Sequence, residues 1–378
     1  MIKRTSLHFI YVVAVLVLIA FGASVAQAGQ KVEIKSENGV TIVHNPKTPV
    51  PLPGGPSKLV LKEELVIGKE SGASGPFFAD LRSLGVDDKE NIWTLDWSDI
   101  KIRVFDKNGK LISTFGKKGQ GPKELQNPQR MAVSGDGRAF ILDRNKLAVY
   151  GLDGSCLEEL STAKFLPFRI KLDKAGFIYM DSRGGLGPKG ISNSLTKFDE
   201  HLNPVVTIST HEQPLSVAGT VSPFPDIVYF VPTSDAHLIW GVGLQYQFHV
   251  LDRAGKLVKL ILKDFAPLRL STADQKNVIE EMYGNQAPPV KFVFPDAYPP
   301  FQFFMGDDED RLYVRTYEKD GQGGFWHDVF DAQGRCFTRF SLPKDEMLFI
   351  VKKSKLYVMI SENEEGIPLI KRYGMEWK

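Results

Sequence analysis

The most constraining feature of this chain is a short pattern that recurs along its length. A β-type run ends in an aromatic or apolar residue, and in most copies an Asp and a Gly-containing turn follow. The runs of the six copies end at Phe105, Tyr150, Phe198, Leu251, Phe330 and Tyr373. They recur at roughly 45 to 50 residues with one longer interval, and a unit of that length is about one four-stranded sheet. The pattern therefore predicts an all-β chain folded as a six-bladed β-propeller of four-stranded antiparallel blades.

The last repeat contains one strand too few. The strands predicted for it cover Leu348–Val351, Lys355–Val358 and Leu369–Tyr373. The run Lys58–Ile67, just before the first repeat, is apolar at alternate positions and is predicted to supply the missing strand. A ring closed by an N-terminal strand leaves only short, protected sheet edges.

The N-terminal residues have the features of an export signal. Lys3 and Arg4 precede an apolar run over Phe9–Val25, and Ala26-Gln27-Ala28 has the small-x-small form of a signal-peptidase site. We therefore expect an exported protein, periplasmic or extracellular, that is cleaved after Ala28. The alternative is an uncleaved membrane anchor, for which the apolar run is short.

Three regions follow from these assignments. Residues 1–28 are predicted as the signal peptide, 29–57 as an N-terminal hairpin and a Pro-rich linker, and 58–378 as the propeller. The hairpin is centred on Asn38-Gly39, a dipeptide that favours a tight two-residue turn.

The net charge limits the classes of partner that are expected, and the two cysteines raise the question of a disulfide bond. The formal net charge of +2 falls to zero without Lys3 and Arg4, so the mature chain lacks the basic excess that phosphate binding requires. Nucleic acid is therefore excluded as an expected partner. Cys156 and Cys336 occupy the same place in the second and fifth repeats, which lie across the ring, so both are predicted to be free thiols.

The second repeat resembles the NHL-repeat propellers. Phe115–Pro128 is similar to the Gly-rich entry of that family, Ala132–Asp143 resembles its core, and Asn145-Lys146-Leu147 stands where Asn-His-Leu would be. The resemblance implies a six-bladed propeller. It implies no single activity, because the family includes both enzymes and binding modules.

The connections between predicted strands differ in length according to the side of the ring on which they lie. The turns from strand one to two and from strand three to four are short, and we call their side the short-turn rim. The other connections emerge on the opposite side, which we call the long-loop rim, where scaffold-mounted binding loops are expected. Its long segments are Gly116–Arg130, Ser182–Ser194, Ser209–Asp226, Asp264–Pro300, Thr316–Trp326 and Ser361–Pro368.

The longest of these segments is predicted to contain one short helix. Ser271 and Asp274 form a capping pattern at its start, and Gly284 ends it. The residues that follow are rich in aromatic side chains and include Phe292, Phe294 and Tyr298. They form either a lid that packs on its own apolar surface or an aromatic platform for a ligand.

Charged residues are predicted at the same rim, around the mouth of the central channel. Asp96, Asp143 and Asp181 each end a second strand, and Arg130 and Arg169 occupy equivalent positions just before first strands. Such a ring either binds a polar ligand through bidentate contacts or is satisfied by its own hydrogen bonds.

The sequence contains no catalytic signature. Its histidines have no close ligand spacing, there is no Gly-x-Ser-x-Gly element, and Gly184-Gly185-Leu186-Gly187 is not followed by the residues of a phosphate loop. No catalytic residue is assigned and no cofactor is expected, although Ca²⁺ bound by oxygen ligands stays open.

The sequence therefore favours an exported, non-catalytic propeller that binds a protein, peptide or glycan at its long-loop rim. The alternative is an enzyme, a Ca²⁺-dependent lactonase-like hydrolase or a lyase, with its site at the channel mouth. The candidate ligand-binding residues are Arg130, Arg169, Asp96, Asp143, Asp181, Phe292, Phe294 and Tyr298.

Overall fold

The structure is a computed structural model that describes residues 31–68, 71–72, 75–76, 78–187, 190–214, 220–224, 227–284, 290–362 and 366–378. The predicted signal peptide, 1–28, lies outside the described residues. Among the described residues, no helix combines the length and the apolar character that a membrane crossing needs.

The strands form six blades, as the repeats predicted. The N-terminal region contains β1 (Glu33–Glu37), β2 (Val40–Asn45), β3 (Leu59–Ile67), β4 (Ser71–Gly72) and β5 (Gly75–Pro76). Blade one contains β6 (Leu81–Val86), β7 (Ile92–Asp96), β8 (Lys101–Phe105) and β9 (Leu111–Phe115). Blade two contains β10 (Pro128–Val133), β11 (Ala139–Asp143), β12 (Lys146–Tyr150) and β13 (Cys156–Ser161). Blade three contains β14 (Pro167–Leu172), β15 (Ile178–Gly187), β16 (Gly190–Phe198) and β17 (Pro204–Pro214), and β18 (Thr220–Val221) follows it.

The second half of the ring continues the same order. Blade four contains β19 (Val228–Pro232), β20 (Leu238–Val242), β21 (Gln247–Leu251) and β22 (Leu257–Lys263). The insertion after it contains α1 (Thr272–Tyr283) and β23 (Lys291–Phe292). Blade five contains β24 (Phe303–Gly306), β25 (Leu312–Lys319), β26 (Phe325–Phe330) and β27 (Cys336–Leu342). Blade six contains β28 (Glu346–Lys352), β29 (Lys355–Ile360) and β30 (Leu369–Trp377).

The ring is closed by the N-terminal strand, as predicted. β3 pairs antiparallel with β30 and becomes the fourth strand of blade six, with Leu59 opposite Trp377 and Ile67 opposite Ile370. The first strand of each blade is the innermost one, and β6, β10, β14, β19, β24 and β28 contact one another in a closed cycle. The innermost strands therefore surround a central channel.

The core lies between the facing sheets of adjacent blades. Between blades one and two, for example, Trp93 and Leu95 pack with Ile141 and Tyr150, and Trp93 is fully buried. The β-branched and aromatic residues of the repeats thus fill the space between blades, where each buried side chain contributes about 1.5–3 kcal/mol. Cys156 and Cys336 are both free thiols, which confirms the prediction.

The N-terminal hairpin has a structural role that the sequence did not predict. β2 pairs in parallel with β22, so the hairpin extends blade four to six strands. Asn45, which is fully buried, donates to the carbonyls of Leu262 and Gly334 and accepts from the amide of Cys336 at 2.7 Å. The segment therefore ties the outer edges of blades four and five together before it reaches β3.

Two of the predicted long loops are largely strands. Between Ser182 and Ser194 the strands β15 and β16 continue as a hairpin, with Arg183 opposite Asn193. β25 likewise continues to Lys319 within the predicted loop Thr316–Trp326. The strands of blades three and five therefore extend past the long-loop rim, and hydrogen bonds between paired strands support these extensions.

Candidate functional site

The long-loop rim contains a cavity of about 360 Å³ at the channel mouth, which we call the mouth cavity. It lies where the innermost strands β10, β14 and β19 begin and where β15 and β16 extend past the rim. Its apolar side is formed by Leu142, Pro167, Phe168, Ile227 and Val228. Its polar side is formed by Gln129, Arg130, Arg169, Asp181, Ser182, Asn193 and Ser194.

Arg169 and Asp181 form an ion pair in the wall of this cavity. The Nη1 atom of Arg169 donates to a carboxylate oxygen of Asp181 at 2.6 Å and to the carbonyl of Val228 at 2.9 Å. The Asp181 carboxylate also accepts the Arg169 backbone N–H at 2.6 Å, and the guanidinium lies 5.0 Å from the ring centre of Tyr229. Burial raises the pKa of Asp181, although Arg169 opposes the shift. The pair is a largely satisfied structural unit of the cavity wall.

Arg130, by contrast, has no carboxylate partner within the described part of the chain. Its Nη1 atom donates to the carbonyl of Gln129 at 2.8 Å, and the residue is exposed at the start of an innermost strand. Desolvation, together with repulsion from Arg169 and Arg82, lowers the pKa of Arg130. An arginine remains protonated at neutral pH in any case. The guanidinium therefore presents free donors to the cavity.

Asp96 and Asp143 bond to the backbone of their own blades. The Asp96 carboxylate accepts the N–H groups of Ala79 at 2.7 Å and Ser98 at 2.9 Å. The Asp143 carboxylate accepts the N–H groups of Gln126 and Asn127, the shorter distance being 2.6 Å. Both side chains are buried, so these carboxylates fasten the long-loop segments to the ends of the second strands.

The predicted equivalence of the three aspartates is wrong for Asp181. Asp96 lies opposite Leu81 and Asp143 opposite Pro128, but in blade three Ser182 lies opposite the corresponding residue, Pro167. Asp181 comes one residue earlier, and successive side chains of a strand point to opposite faces of the sheet. The carboxylate of Asp181 is therefore available to Arg169 and is not part of a ring with Asp96 and Asp143.

The innermost strands carry an excess of basic residues. Their bases are Arg82, Arg130, Arg169, Lys171 and Lys352. Their single carboxylate, that of Glu346, is buried and bonded to Lys371. Lys171 is accessible and lies on an innermost strand, so we place its side chain in the channel. Burial by the channel wall, followed by the charge of Arg169, lowers the pKa of Lys171.

The predicted helix is confirmed and forms one wall of a second cavity. The Ser271 side chain accepts the N–H of Asp274 at 3.2 Å, the Asp274 carboxylate accepts the Ser271 N–H, and Gly284 ends α1 at φ 61. No residue of α1 is buried. A cavity of about 590 Å³, which we call the lid cavity, lies between α1 and the long-loop end of blade five.

The predicted aromatic residues separate into two clusters. Tyr298 stacks on Tyr317 with 4.7 Å between ring centres, and Phe224 contacts both rings edge-on. Desolvation, followed by Asp274, raises the pKa of Tyr298 to about 12. Phe292 contacts Phe294 and Tyr283. Tyr298 and Tyr317 line the lid cavity, whereas Phe292 and Phe294 pack within the insertion.

Exposed apolar side chains are concentrated on the long-loop rim. Large, exposed apolar side chains there are those of Trp97, Leu166, Phe168, Leu244, Phe265, Leu268, Met282, Val293 and Met347. The remaining ones in the described chain lie on outer strands or, in the case of Leu152, in a short turn. Within the described residues, the long-loop rim thus exposes nine such side chains and the short-turn rim exposes one.

A calcium site does not fit these carboxylates. Asp96 and Asp143 would have to release backbone N–H groups before they could turn toward an ion, and Asp181 is bonded to Arg169. Within the described ranges, no group of three His, Cys, Asp or Glu residues has the arrangement of a metal site.

Sequence reasoning missed several residues of the mouth cavity. Ser182, Asn193 and Ser194 were taken for loop residues, because nothing local shows that β15 and β16 continue past the rim. Phe168 was missed because Phe168–Leu172 alternates apolar and polar residues, which favours a buried aromatic residue, whereas the register shift between Pro167 and Arg169 accompanies an exposed Phe168. Tyr317, which stacks on Tyr298, lay in the predicted loop Thr316–Trp326.

Comparisons with known proteins agree with this architecture. A family model named DUF5128 and described as a 6-bladed beta-propeller matches residues 81–240. No curated protein sequence matches the chain. The class defined by these findings and by the fold is the six-bladed β-propeller, and the NHL resemblance stays a prediction.

Solved structures similar to this chain also have low sequence identity. A Bacteroides fragilis protein designated as exported is 14% identical, with a TM-score of 0.56 over 89% of this chain and 99% of its own. A DUF4221 member from Bacteroides vulgatus is 11% identical, with a TM-score of 0.55 over 85% of this chain and 99% of its own. At these identities the similarity extends to the fold alone.

Proposed function

We propose that this chain is an exported, non-catalytic propeller that binds a protein, peptide or glycan through its long-loop rim. The observation that carries the proposal is the placement of the exposed apolar side chains, from Trp97 in blade one to Met347 in blade six. The turns of the short-turn rim are held by hydrogen bonds within each turn. The two ends of the same strands therefore present different side chains to a partner.

The two cavities support this proposal. Volumes of about 360 Å³ and 590 Å³ fall within the range of small-ligand sites, and both open on the same rim. Backbone in β15, β16 and the insertion supports the cavity walls, and the parallel pairing of Thr220 with Lys291 links two long segments. A rim held in this way is preorganised for binding, which lowers the entropic cost of association.

The carboxylates at the channel mouth favour binding over catalysis. Asp96 and Asp143 are bonded to backbone amides, and Asp181 is bonded to Arg169. The carboxylates assigned to the alternative hydrolase or lyase therefore already act as structural acceptors. The hydrolase or lyase alternative has no observation of its own in its favour.

The test compares two double variants of the mature chain that differ only in the location of the change. Phe168→Ser with Leu244→Ser removes side chains that are 51% and 57% exposed on the long-loop rim. Ile112→Ser with Leu157→Ser removes side chains that are 45% and 55% exposed on outer strands. The free energy of unfolding of each variant should lie within about 0.5 kcal/mol of that of the parent chain, since surface substitutions change stability little.

Partners captured from the cell envelope of the source organism are then quantified by mass spectrometry. We expect the rim variant to lose at least about tenfold of the specific partner and the outer-strand variant to retain it. Equal capture by both variants would contradict the rim proposal.

A further inference from the structure

The mouth cavity contains a cation, that of Arg130, which forms no ion pair with any residue that the structure describes. Arg82 is paired with Asp80 at 2.6 Å, and Arg169 with Asp181 at 2.6 Å. Arg130 lies in the same group of arginines and has only a backbone carbonyl as partner in the described residues. An unpaired guanidinium beside two other guanidinium groups is stabilised by any anion that enters the cavity.

The surroundings of Arg130 favour an anion over a cation. All exposed charges of the innermost strands are basic, because Glu346 is buried and bonded to Lys371. Lys171 adds a second channel-facing cation two residues beyond Arg169 on β14. A channel with one sign of charge and enclosing walls raises the local concentration of ligands of the opposite sign.

The cavity also defines the rest of the ligand. Phe168 is 51% exposed in its wall, and Leu142, Pro167 and Ile227 complete an apolar side opposite the polar one. Ser182, Asn193 and Ser194 add short polar side chains on β15 and β16. The planar guanidinium has two parallel donors that match the two oxygens of a carboxylate.

We propose that the mouth cavity binds an apolar group that carries a carboxylate, and that Arg130 is the residue that holds this carboxylate. The inference deepens the proposed function, on which it rests, by naming the chemistry that the rim recognises. The carboxylate belongs either to a small organic acid or to the C-terminus of a peptide. Both sources share the same contact with Arg130.

Calorimetric titration of the mature chain distinguishes these sources. The probes are phenylacetate with its neutral amide, phenylacetamide, and N-acetyl-Gly-Phe with its C-terminal amide. We expect at least one acid to bind at least about tenfold more tightly than its amide, which is the effect of one charge-assisted hydrogen-bonded contact. Selectivity with phenylacetate alone identifies a small acid, and selectivity with the dipeptide alone identifies a peptide terminus.

Two variants assign the selectivity to Arg130. Arg130→Gln should abolish the preference for acid over amide, and Arg130→Lys should retain part of it, since a lysine keeps the charge and loses the fork. Arg138→Gln on the short-turn rim is the matched control, because it removes the same charge from blade two and should leave the preference intact. Melting curves should show that Arg130→Gln is folded, since the side chain forms no ion pair with a described residue.

The proposal is overturned if neither acid binds more tightly than its amide up to about 10 mM ligand. It is also overturned if Arg130→Gln keeps the preference while remaining folded. Loss of partner capture by Phe168→Ser with Leu244→Ser, in the absence of acid selectivity, removes the carboxylate assignment and leaves the rim proposal standing. Acid selectivity with unchanged partner capture supports the carboxylate assignment and removes the proposal that partners bind through the rim.

Discussion

The two rims of the propeller are made from opposite ends of the same strands and differ in how their polar groups are used. On the short-turn rim, the carboxylates of Asp87, Asp173 and Asp307 each accept two backbone N–H groups of their own turn. The same carboxylates also bond Trp93, Tyr179 and Tyr313, six residues further on. Each of these turns thus anchors an aromatic residue of the second strand, and its Asp stabilises the scaffold of the blade.

The long-loop halves of blades four and five show the opposite pattern. Four buried polar atoms there have no hydrogen-bond partner among the described residues: Trp240 Nε1, His249 Nδ1, Arg315 Nε and His327 Nε2. Leaving such an atom unbonded costs about 1–3 kcal/mol. Trp377 Nε1, at the short-turn end of β30, also has no partner among the described residues, so such atoms are more frequent in the long-loop halves but are not confined to them.

The largest expected effect breaks a turn of the short-turn rim. Asp173→Ala removes the acceptor of three hydrogen bonds and leaves Lys197, whose side chain is 6% exposed, without the carboxylate 3.7 Å away. We expect the free energy of unfolding to fall by about 3–5 kcal/mol, because an uncompensated buried charge remains. Urea unfolding followed by tryptophan fluorescence measures the change.

Asp136→Ala provides the control on the same rim. The side chain of Asp136 is 60% exposed, so its removal should cost less than about 1 kcal/mol. Similar losses for Asp173→Ala and Asp136→Ala would show that the buried turn carboxylates do not carry the stability of this rim.

A smaller effect, dependent on pH, is expected near the long-loop rim. His327 is fully buried, and desolvation followed by Arg315 lowers its pKa to about 3. The unfolded chain takes up a proton below about pH 6.5 and the folded chain does not, so this stability is present above pH 6.5 and is lost as the pH falls. Between pH 7 and pH 5 the parent chain should therefore lose about 2 kcal/mol more than His327→Phe.

His201→Phe is the matched control for this measurement. The His201 side chain is 65% exposed, so this variant measures the effect of replacing an exposed histidine by phenylalanine. If the free energy of unfolding of His327→Phe depended on pH as it does in the parent chain, His327 would have to be solvated. His327 would then no longer be evidence for a difference between the two rims.

Much of the fold could be predicted because its signals are local. The turn after Phe330, for example, contains Asp331, whose carboxylate accepts the N–H groups of Gln333 and Arg335, and Gly334 at φ 89. Such chemistry depends only on neighbouring residues, so it is visible in a single sequence. The docking of β2 on β22 was not predicted, because parallel pairing depends on a distant strand and on the buried bonds of Asn45.

The candidate site was predicted less completely, because it depends on register and on strand length. Arg130 and Arg169 lie at the channel mouth where the repeats placed them. Asp181 was assigned to the wrong position, since a one-residue offset in blade three was not visible in the spacing of the repeats. Ser182 and Ser194 became part of the site only because β15 and β16 continue past the rim.

The central claim is that the long-loop rim is the binding surface, and site-specific photo-crosslinking tests it most directly. A photoreactive amino acid is placed at Phe168 on the long-loop rim or at Leu152 in a short turn, and each protein is irradiated with the captured partner. We predict a crosslinked product from position 168 and none from position 152. Crosslinking from position 152 alone would contradict the account.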